Sequence, residues 1–574
     1  MRRMSICSVL LFLLAIAVSV AQEKPTPATK PAQDPRVLGV AGPDTLFKGA
    51  VKDSVAKPTQ GLPKFDLPEY VITGVGTFDL PDAEKLEGFE PSHDVQLADP
   101  LSALRDRSTV ESQAVERLMV VPQDVMTGRL EAGSGTYFTS RVGLLLSKVS
   151  PGYFYAGDAG YGVSKEYIPF TNRSGGHVNV IGGVTLRGPS EWYDGGKVKG
   201  EAGYENESYR FYGSLSPAVV RSLTHFRLGG SYDSPRDLLF NYDLRASLQV
   251  TSVGDSGSSV SETQYWFGLR SNVLVDAFPV DGRIDISFAS ITGSGSATLP
   301  YLEASLMTPK HWFGGFFVQG STHLYVTQGM LSQKFARFYP HIEIGYKILE
   351  GTILSAAYLG KVQFNTLSGL IDEQPYLSAK STIRQSDIPL NLVFALETDW
   401  NEIWRTRISA RFQSVHDYPL VTEGGLVLAH KGIWMTDYLG TTSIATYQAE
   451  LFAKFDANSY FSLSLEANSS KNSTTQWQVP YLPEFRLRSG LSLQVARGWQ
   501  VRPTFAYVGL RSADLTVTTK LEEYAVFGVR SEYTMWKFLD VFVDLQNLTN
   551  YRYSEWNGYR ASPFVLTAGI GYRW

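Results

Sequence analysis

Gly254-Asp255-Ser256-Gly257 sets a serine between glycines, as an exposed nucleophile would need. Nucleophilic catalysis also requires an aligned histidine and an orienting acid. The eight histidines are scattered without pattern, so the run reads as a Ser/Gly-rich hairpin loop between two strands. Carboxylates do not cluster as in a calcium loop, and His and Cys do not recur at metal-ligand spacing. No phosphate-cradling glycine motif occurs. The sole cysteine, Cys7, precedes the apolar run Val9–Val18, so the chain after that run has no disulfide, zinc thiolate or thiol nucleophile. The expectation is a non-enzyme without a cofactor.

The remaining chemistry is charge. Arg405, Arg407 and Arg411 fall on one face of a strand-like segment, Arg486 and Arg488 on another, and Arg530 and Arg573 on two more. Glu450, Glu484, Glu532, Asp540 and Asp544 share those faces. Two readings stand: a ladder of cross-strand ion pairs, or a path that favours anionic solutes. The net charge of −4 gives no nucleic-acid footprint.

What positions these charges is a pattern of period two that begins near Met126 and continues to Trp574. Val178, Val180, Val184 and Leu186 share a face with Gly182, against His177, Asn179 and Thr185, with Ile181 the exception. Phe461, Leu463, Leu465 and Ala467 alternate with Ser462, Ser464, Glu466 and Asn468. Leu539, Val541, Val543 and Leu545 oppose Asp540 and Asp544, and Ile284/Ile286/Phe288 and Ile408/Ala410/Phe412 behave alike. The polar faces carry charges in mid-strand, while the apolar faces often end in Tyr, Trp or Phe. That suits a lipid-facing band with aromatic girdles around a wet lumen. Segments of about 9–13 residues are long enough for tilted strands to cross a bilayer. Closure is then obligatory, because an open edge in lipid leaves backbone groups unpaired. The expectation is an all-β, antiparallel, up-and-down transmembrane barrel of about 22 to 24 strands, with 22 preferred.

Before the barrel, residues 1–21 read as a secretory signal: Arg2 and Arg3, an apolar run too short to span a membrane as a helix, then Ser19-Val20-Ala21. Residues 22–64 read as a Pro- and Lys-rich periplasmic linker. Residues 65–125 read as a short periplasmic or lumen-inserted segment with the strand-like run Glu69-Tyr70-Val71-Ile72-Thr73 and an amphipathic helix from Leu101 to Leu118. If that helix partly fills the lumen, deleting residues 65–120 raises conductance. The longer loops are expected at Asn365–Pro389, His416–Gly432 and Asn468–Pro480, polar and extracellular, where ligand contact belongs.

The C-terminal hundred residues carry a family likeness. Tyr481-Leu482-Pro483-Glu484-Phe485, Trp499-Gln500-Val501, Phe505–Arg511 and Asp544-Leu545-Gln546-Asn547-Leu548-Thr549-Asn550-Tyr551 resemble, in that order, the late barrel of TonB-dependent receptors. The Gly-rich run Gly128–Gly135 resembles their first strand. Ile570, Tyr572 and Trp574 resemble the terminal signal read by barrel-assembly machinery. Glu69–Thr73 resembles a TonB box, the extended peptide that pairs with an edge strand of TonB, although an ordinary β-prone rim peptide fits it too. Such receptors carry a plug commonly longer than the stretch between Thr73 and Met126, so a full plug is not expected here. The resemblance implies a bacterial outer-membrane location, with outer-membrane lipid, the assembly machinery, TonB and a small solute as partners. Transport of a small solute is the first reading. A plugless barrel that anchors an envelope protein through residues 22–125 is the second. A lipase or protease barrel is the weakest, for want of a triad or dyad.

Overall fold

The computed structural model describes residues 126–574 except 151, 236–239, 257, 276–277, 294–295, 331–333, 402, 425–431 and 457. The signal, the linker, Glu69–Thr73 and the Leu101–Leu118 helix therefore lie outside the described residues.

Twenty-two strands, from Met126–Gly135 to Val565–Arg573, each run antiparallel to their chain neighbours. The first pairs with the last, from Arg129 opposite Arg573 to Gly135 opposite Thr567, and this closes the sheet. Two three-residue pieces, His311–Phe313 and Lys361–Gln363, extend the wall. Among the described residues no helix is long and apolar enough to cross a membrane.

The alternation sorts side chains as the sequence requires. Val178, Val180 and Val184 point outward, as do Ile284, Phe288, Ile408 and Tyr447. Asp285 and Ser287 are buried inside. On the last but one strand Phe542, between Asp540 and Asp544, breaks the polar inner face and is fully buried. Strand lengths also range more widely than expected, from 8 residues in Thr352–Leu359 to 18 in Ser258–Val275. The long pair Phe240–Asp255 and Ser258–Val275 stays in register up to Asp255 opposite Ser258.

Both barrel termini lie at one end, where connections are short: Leu349 to Thr352, Ala496 to Trp499 and Trp536 to Leu539. Trp312, Phe316, Trp400, Trp499, Trp536 and Trp574 are exposed around this turn end, as an interfacial girdle. The long connections, 360–385, 417–440, 473–484, 509–523 and 547–564, share the opposite end. This loop end matches the side on which outer-membrane barrels carry their longer loops. Two boundaries differ from expectation. The strand Tyr460–Asn472 continues past Asn468, and the strand Ser386–Asp399 begins before Pro389. The loops at 509–523 and 547–564 were not among the expected ones.

Candidate functional site

The loops do not stand out into the medium. They fold inward over the lumen. Leu367–Glu373 is a helix whose first turn is closed by Thr366, which accepts from the Gly369 amide at 3.1 Å. Three small hairpins accompany it: Leu420–Glu423 with Trp434–Asp437, Arg511–Ser512 with Lys520–Leu521, and Ser554–Trp556 with Tyr559–Arg560. Loop residues Leu370, Ile371, Trp434, Tyr481, Trp556 and Tyr559 form one buried cluster with wall residues Leu223, Val253, Val260, Ile291 and Leu299. These wall residues come from five consecutive strands, whereas Tyr481, Trp556 and Tyr559 come from connections far around the circumference. A single cluster that joins both sides bridges the lumen.

Aromatic contacts hold the cap together: Tyr376 stacks on Tyr559 at 3.7 Å, Tyr481 lies 4.5 Å from Trp556, and Trp434 lies 5.3 Å from Tyr559. The Trp434 indole donates to the Tyr481 hydroxyl at 3.0 Å. Each fully buried large apolar side chain stabilises the closed arrangement by roughly 1.5–3 kcal/mol. Burial also pushes the Tyr376, Tyr481 and Tyr559 hydroxyls above their ordinary range, and that of Tyr438 up to about 12, so these hydroxyls stay protonated.

Polar groups of the wall clasp the cap. Arg221, fully buried, grips Asp255 through Nε and NH2 at 2.7 Å each. Its remaining nitrogen donates to the carbonyls of Pro375 at 2.8 Å and Leu377 at 2.7 Å, just beyond the helix. Tyr209 donates to the Pro375 carbonyl at 2.6 Å. Glu262 accepts from the Leu367 and Ser368 amides at 2.6 and 3.2 Å, which satisfies donors that a helix start leaves open. His225 lies 3.5 Å from Asp372. The loops also cross at glycines. A Cβ on Gly432, at φ +80°, would lie 2.4 Å from Ser214 Cα, and one on Gly558, at φ +83°, would lie 2.9 Å from the Gly213 carbonyl. Tyr559 donates to the Gly432 carbonyl at 2.7 Å across this junction.

The clasp also explains Gly254, Asp255 and Ser256, the described part of the Ser/Gly-rich run. Asp255 is the partner of Arg221, and the Ser256 hydroxyl accepts from the Val220 amide at 3.2 Å. It is a hairpin turn that anchors the cap.

The arginines singled out in the sequence take different places. Arg405 pairs with Asp399 at 2.6 Å and Arg407 with Glu397 at 3.4 Å, both across one strand pair near the turn end. Arg411 sits higher, opposite Val393 and Thr446, with no carboxylate facing it in register. Arg486 lies 3.7 Å from Glu466, and Arg488 is flanked by Ser464 and Ala506. Glu450 accepts from Gln448 at 2.7 Å opposite Arg407. Glu484 lies in the 473–484 loop, above the wall, and accepts from Gln478 at 3.3 Å.

Arg530, Arg573, Glu532, Asp540 and Asp544 gather at the seam where the barrel closes. There Arg129 meets Glu532 at 2.9 Å, Arg530 meets Glu131 at 3.0 Å, Arg573 meets Glu532 at 3.0 Å, and Arg141 meets Asp544 at 3.2 Å. Phe542 lies between two of these cations, 4.9 Å from Arg141 and 4.5 Å from Arg530. It covers Gly133 and Gly569, where an added Cβ would meet its ring at 2.9 and 2.3 Å. Sequence reasoning missed Arg129, Glu131 and Arg141, although the alternation of the first strands carries them. Ile570, Tyr572 and Trp574 point outward on the last strand and at its end. Among the described residues no group of three or more His, Cys, Asp or Glu is arranged to hold a metal ion.

No family model and no curated protein matches the chain. Solved structures do. The FrpB iron transporter from Neisseria meningitidis (F3-3 variant) superposes with a TM-score of 0.62 at 9% identity, over 80% of this chain and 83% of that one. The copper transporter OprC gives 0.59 at 12% identity over 79% and 81%, and the siderophore receptor PirA from Pseudomonas aeruginosa 0.56 at 11% over 79% and 81%. At such identities the likeness is one of fold. The wall, a closed 22-strand antiparallel barrel, shares its fold with these transporters and this receptor.

Proposed function

We propose that the chain is an outer-membrane transport protein, which passes a small solute through a lumen closed from outside by its own inward-folded loops. The observation that carries this is the cluster from Leu223 and Val260 on one wall to Trp556 and Tyr559 on loops of the other, with Trp434 buried between. A barrel with a purely structural role has no use for a buried cluster that joins five long loops across its mouth. The fold neighbours are two metal-ion transporters and a siderophore receptor, which supports transport as the class of activity. Glu69–Thr73 is the segment through which TonB would act, from the periplasmic side.

Liposome swelling with the full-length protein tests this reading. Wild type is expected to admit small sugars slowly, and a variant with a weakened clasp, Arg221→Gln, several-fold faster. Equal slow swelling of both, with the variant folded, would favour an anchoring role.

A further inference from the structure

Beneath the cap, one stretch of wall collects cations that structure alone does not require. Arg486 and Arg488 are neighbours on the inner face of the strand Phe485–Ala496. The loop above it returns alongside: the Gly509 amide donates to the Phe485 carbonyl at 2.8 Å, and the Glu484 amide to the Leu510 carbonyl at 3.2 Å. That pairing carries Arg511 down to the same place, where both Arg488 and Arg511 lie within electrostatic range of the Arg486 guanidinium. Arg511 and Arg486 are 5% and 7% exposed. Glu466 lies 3.7 Å from Arg486, and Glu555 lies beside Arg511.

Arg511 carries the sharper sign. One terminal nitrogen donates to the Ser554 carbonyl at 2.6 Å, while the other, NH1, is buried with no hydrogen-bond partner. A buried guanidinium donor left open is costly and calls for an acceptor. The Arg511 guanidinium lies 5.0 Å from the Tyr524 ring, and Tyr524 stacks on Tyr553 at 4.0 Å, which gives the place a flat aromatic side.

We infer that Arg486, Arg488 and Arg511 form a binding site for a small oxyanion, a carboxylate- or phosphate-bearing solute, against the Tyr524–Tyr553 pair. Guanidinium forks match such groups in geometry as well as charge. The site deepens the transport reading by naming a solute class, and it rests on that reading for its biological sense.

Isothermal titration of the purified full-length protein in detergent, with citrate and separately with inorganic phosphate, tests the site. At least one of them is expected to bind saturably. Citrate alone would mark a carboxylate site, phosphate alone a phosphoryl site, and both a general oxyanion site. Arg511→Gln should weaken binding about tenfold, the loss of one charge-assisted hydrogen bond. Arg511→Lys should retain more, and Lys199→Gln, on another part of the wall, should bind as wild type does. If Arg511→Gln fails to give the folded band on an unheated gel, Arg488→Gln decides in its place. Saturation by neither probe, or undiminished affinity in the deciding variant, would overturn the inference. Titration in detergent needs no passage across a membrane. No saturable binding by wild type with swelling as expected rejects the site alone, and saturable binding without the expected swelling rejects transport alone.

Discussion

Arg221 and Asp255 form a two-point ion pair, 2.7 Å at each contact, whose arginine is fully buried and whose free nitrogen holds the carbonyls of Pro375 and Leu377. One side chain thus ties the wall hairpin to the cap loop. Breaking a buried pair by removing one partner typically costs about 3–5 kcal/mol. Arg221→Gln is therefore expected to release residues 364–385, read as faster hydrogen exchange there, while the exchange of distant strands stays unchanged. Asp255→Asn should do the same to a smaller extent.

The loop crossing at Gly432 leaves no room for a side chain, with a Cβ placed 2.4 Å from Ser214 Cα and a positive φ besides. Gly432→Ala should loosen the 211–219 and 417–440 loops together. Limited proteolysis of intact outer membranes would display this as new cleavage in both loops. Cleavage confined to one loop would mean that the crossing does not couple them.

Phe542 is the aromatic that covers the glycines of the closing strands, between Arg141 and Arg530. Truncation of a buried phenylalanine costs about 3–5 kcal/mol. Phe542→Ala should lower the temperature at which the barrel loses its fast-migrating folded form on gels. Phe542→Leu should lose less, because it keeps apolar cover but not the contact with the cations.

Asp514 gives a pH dependence in a loop. Burial would raise its carboxyl, but hydrogen bonds from Thr518 and Thr519 outweigh this and hold it at about 2. A depressed native value means that the carboxylate stabilises its loop above the ordinary aspartate range, near 3.9. That contribution is lost as pH falls from there toward about 2. Pulse exchange of residues 513–519 should quicken over this window in wild type. Asp514→Asn should exchange fast at every pH.

Deleting Glu69–Thr73 should abolish energised uptake in cells and leave liposome swelling unchanged, because the described barrel and cap contain none of these residues. Undiminished uptake would make the run a rim peptide instead.

Much of this architecture was legible. Alternation such as Val178/Val180/Val184 against His177/Asn179 places lipid and lumen because period two leaves each side chain only two choices. The end charges of the wall, Arg405 and Arg407, are legible for the same reason. The cap was not. Leu367, Leu370, Ile371, Trp434 and Tyr559 sit in stretches without a sustained period, and their partners, Leu223, Val253 and Val260, lie far away in sequence. The polar character of the loops suggested an exposed surface, whereas Leu370, Ile371, Trp434, Tyr481, Trp556 and Tyr559 turn inward to one another. Asp255 was legible as part of a hairpin loop but not as an anchor, since its partner Arg221 stands on another strand and only the sheet brings the two together. Arg511 escaped notice because nothing local marks a loop arginine as buried.

Planar-bilayer recording of the full-length protein is the most direct test of closure by the loops. Residues 367–377, which bear the helix and the clasped carbonyls, would be replaced by a Gly-Ser linker of equal length. Frequent large conductance steps in this variant, against rare small ones in wild type, are what the account predicts. Equal conductance in the two, with both barrels folded, would contradict it, because the lumen would then be blocked by something other than the cap.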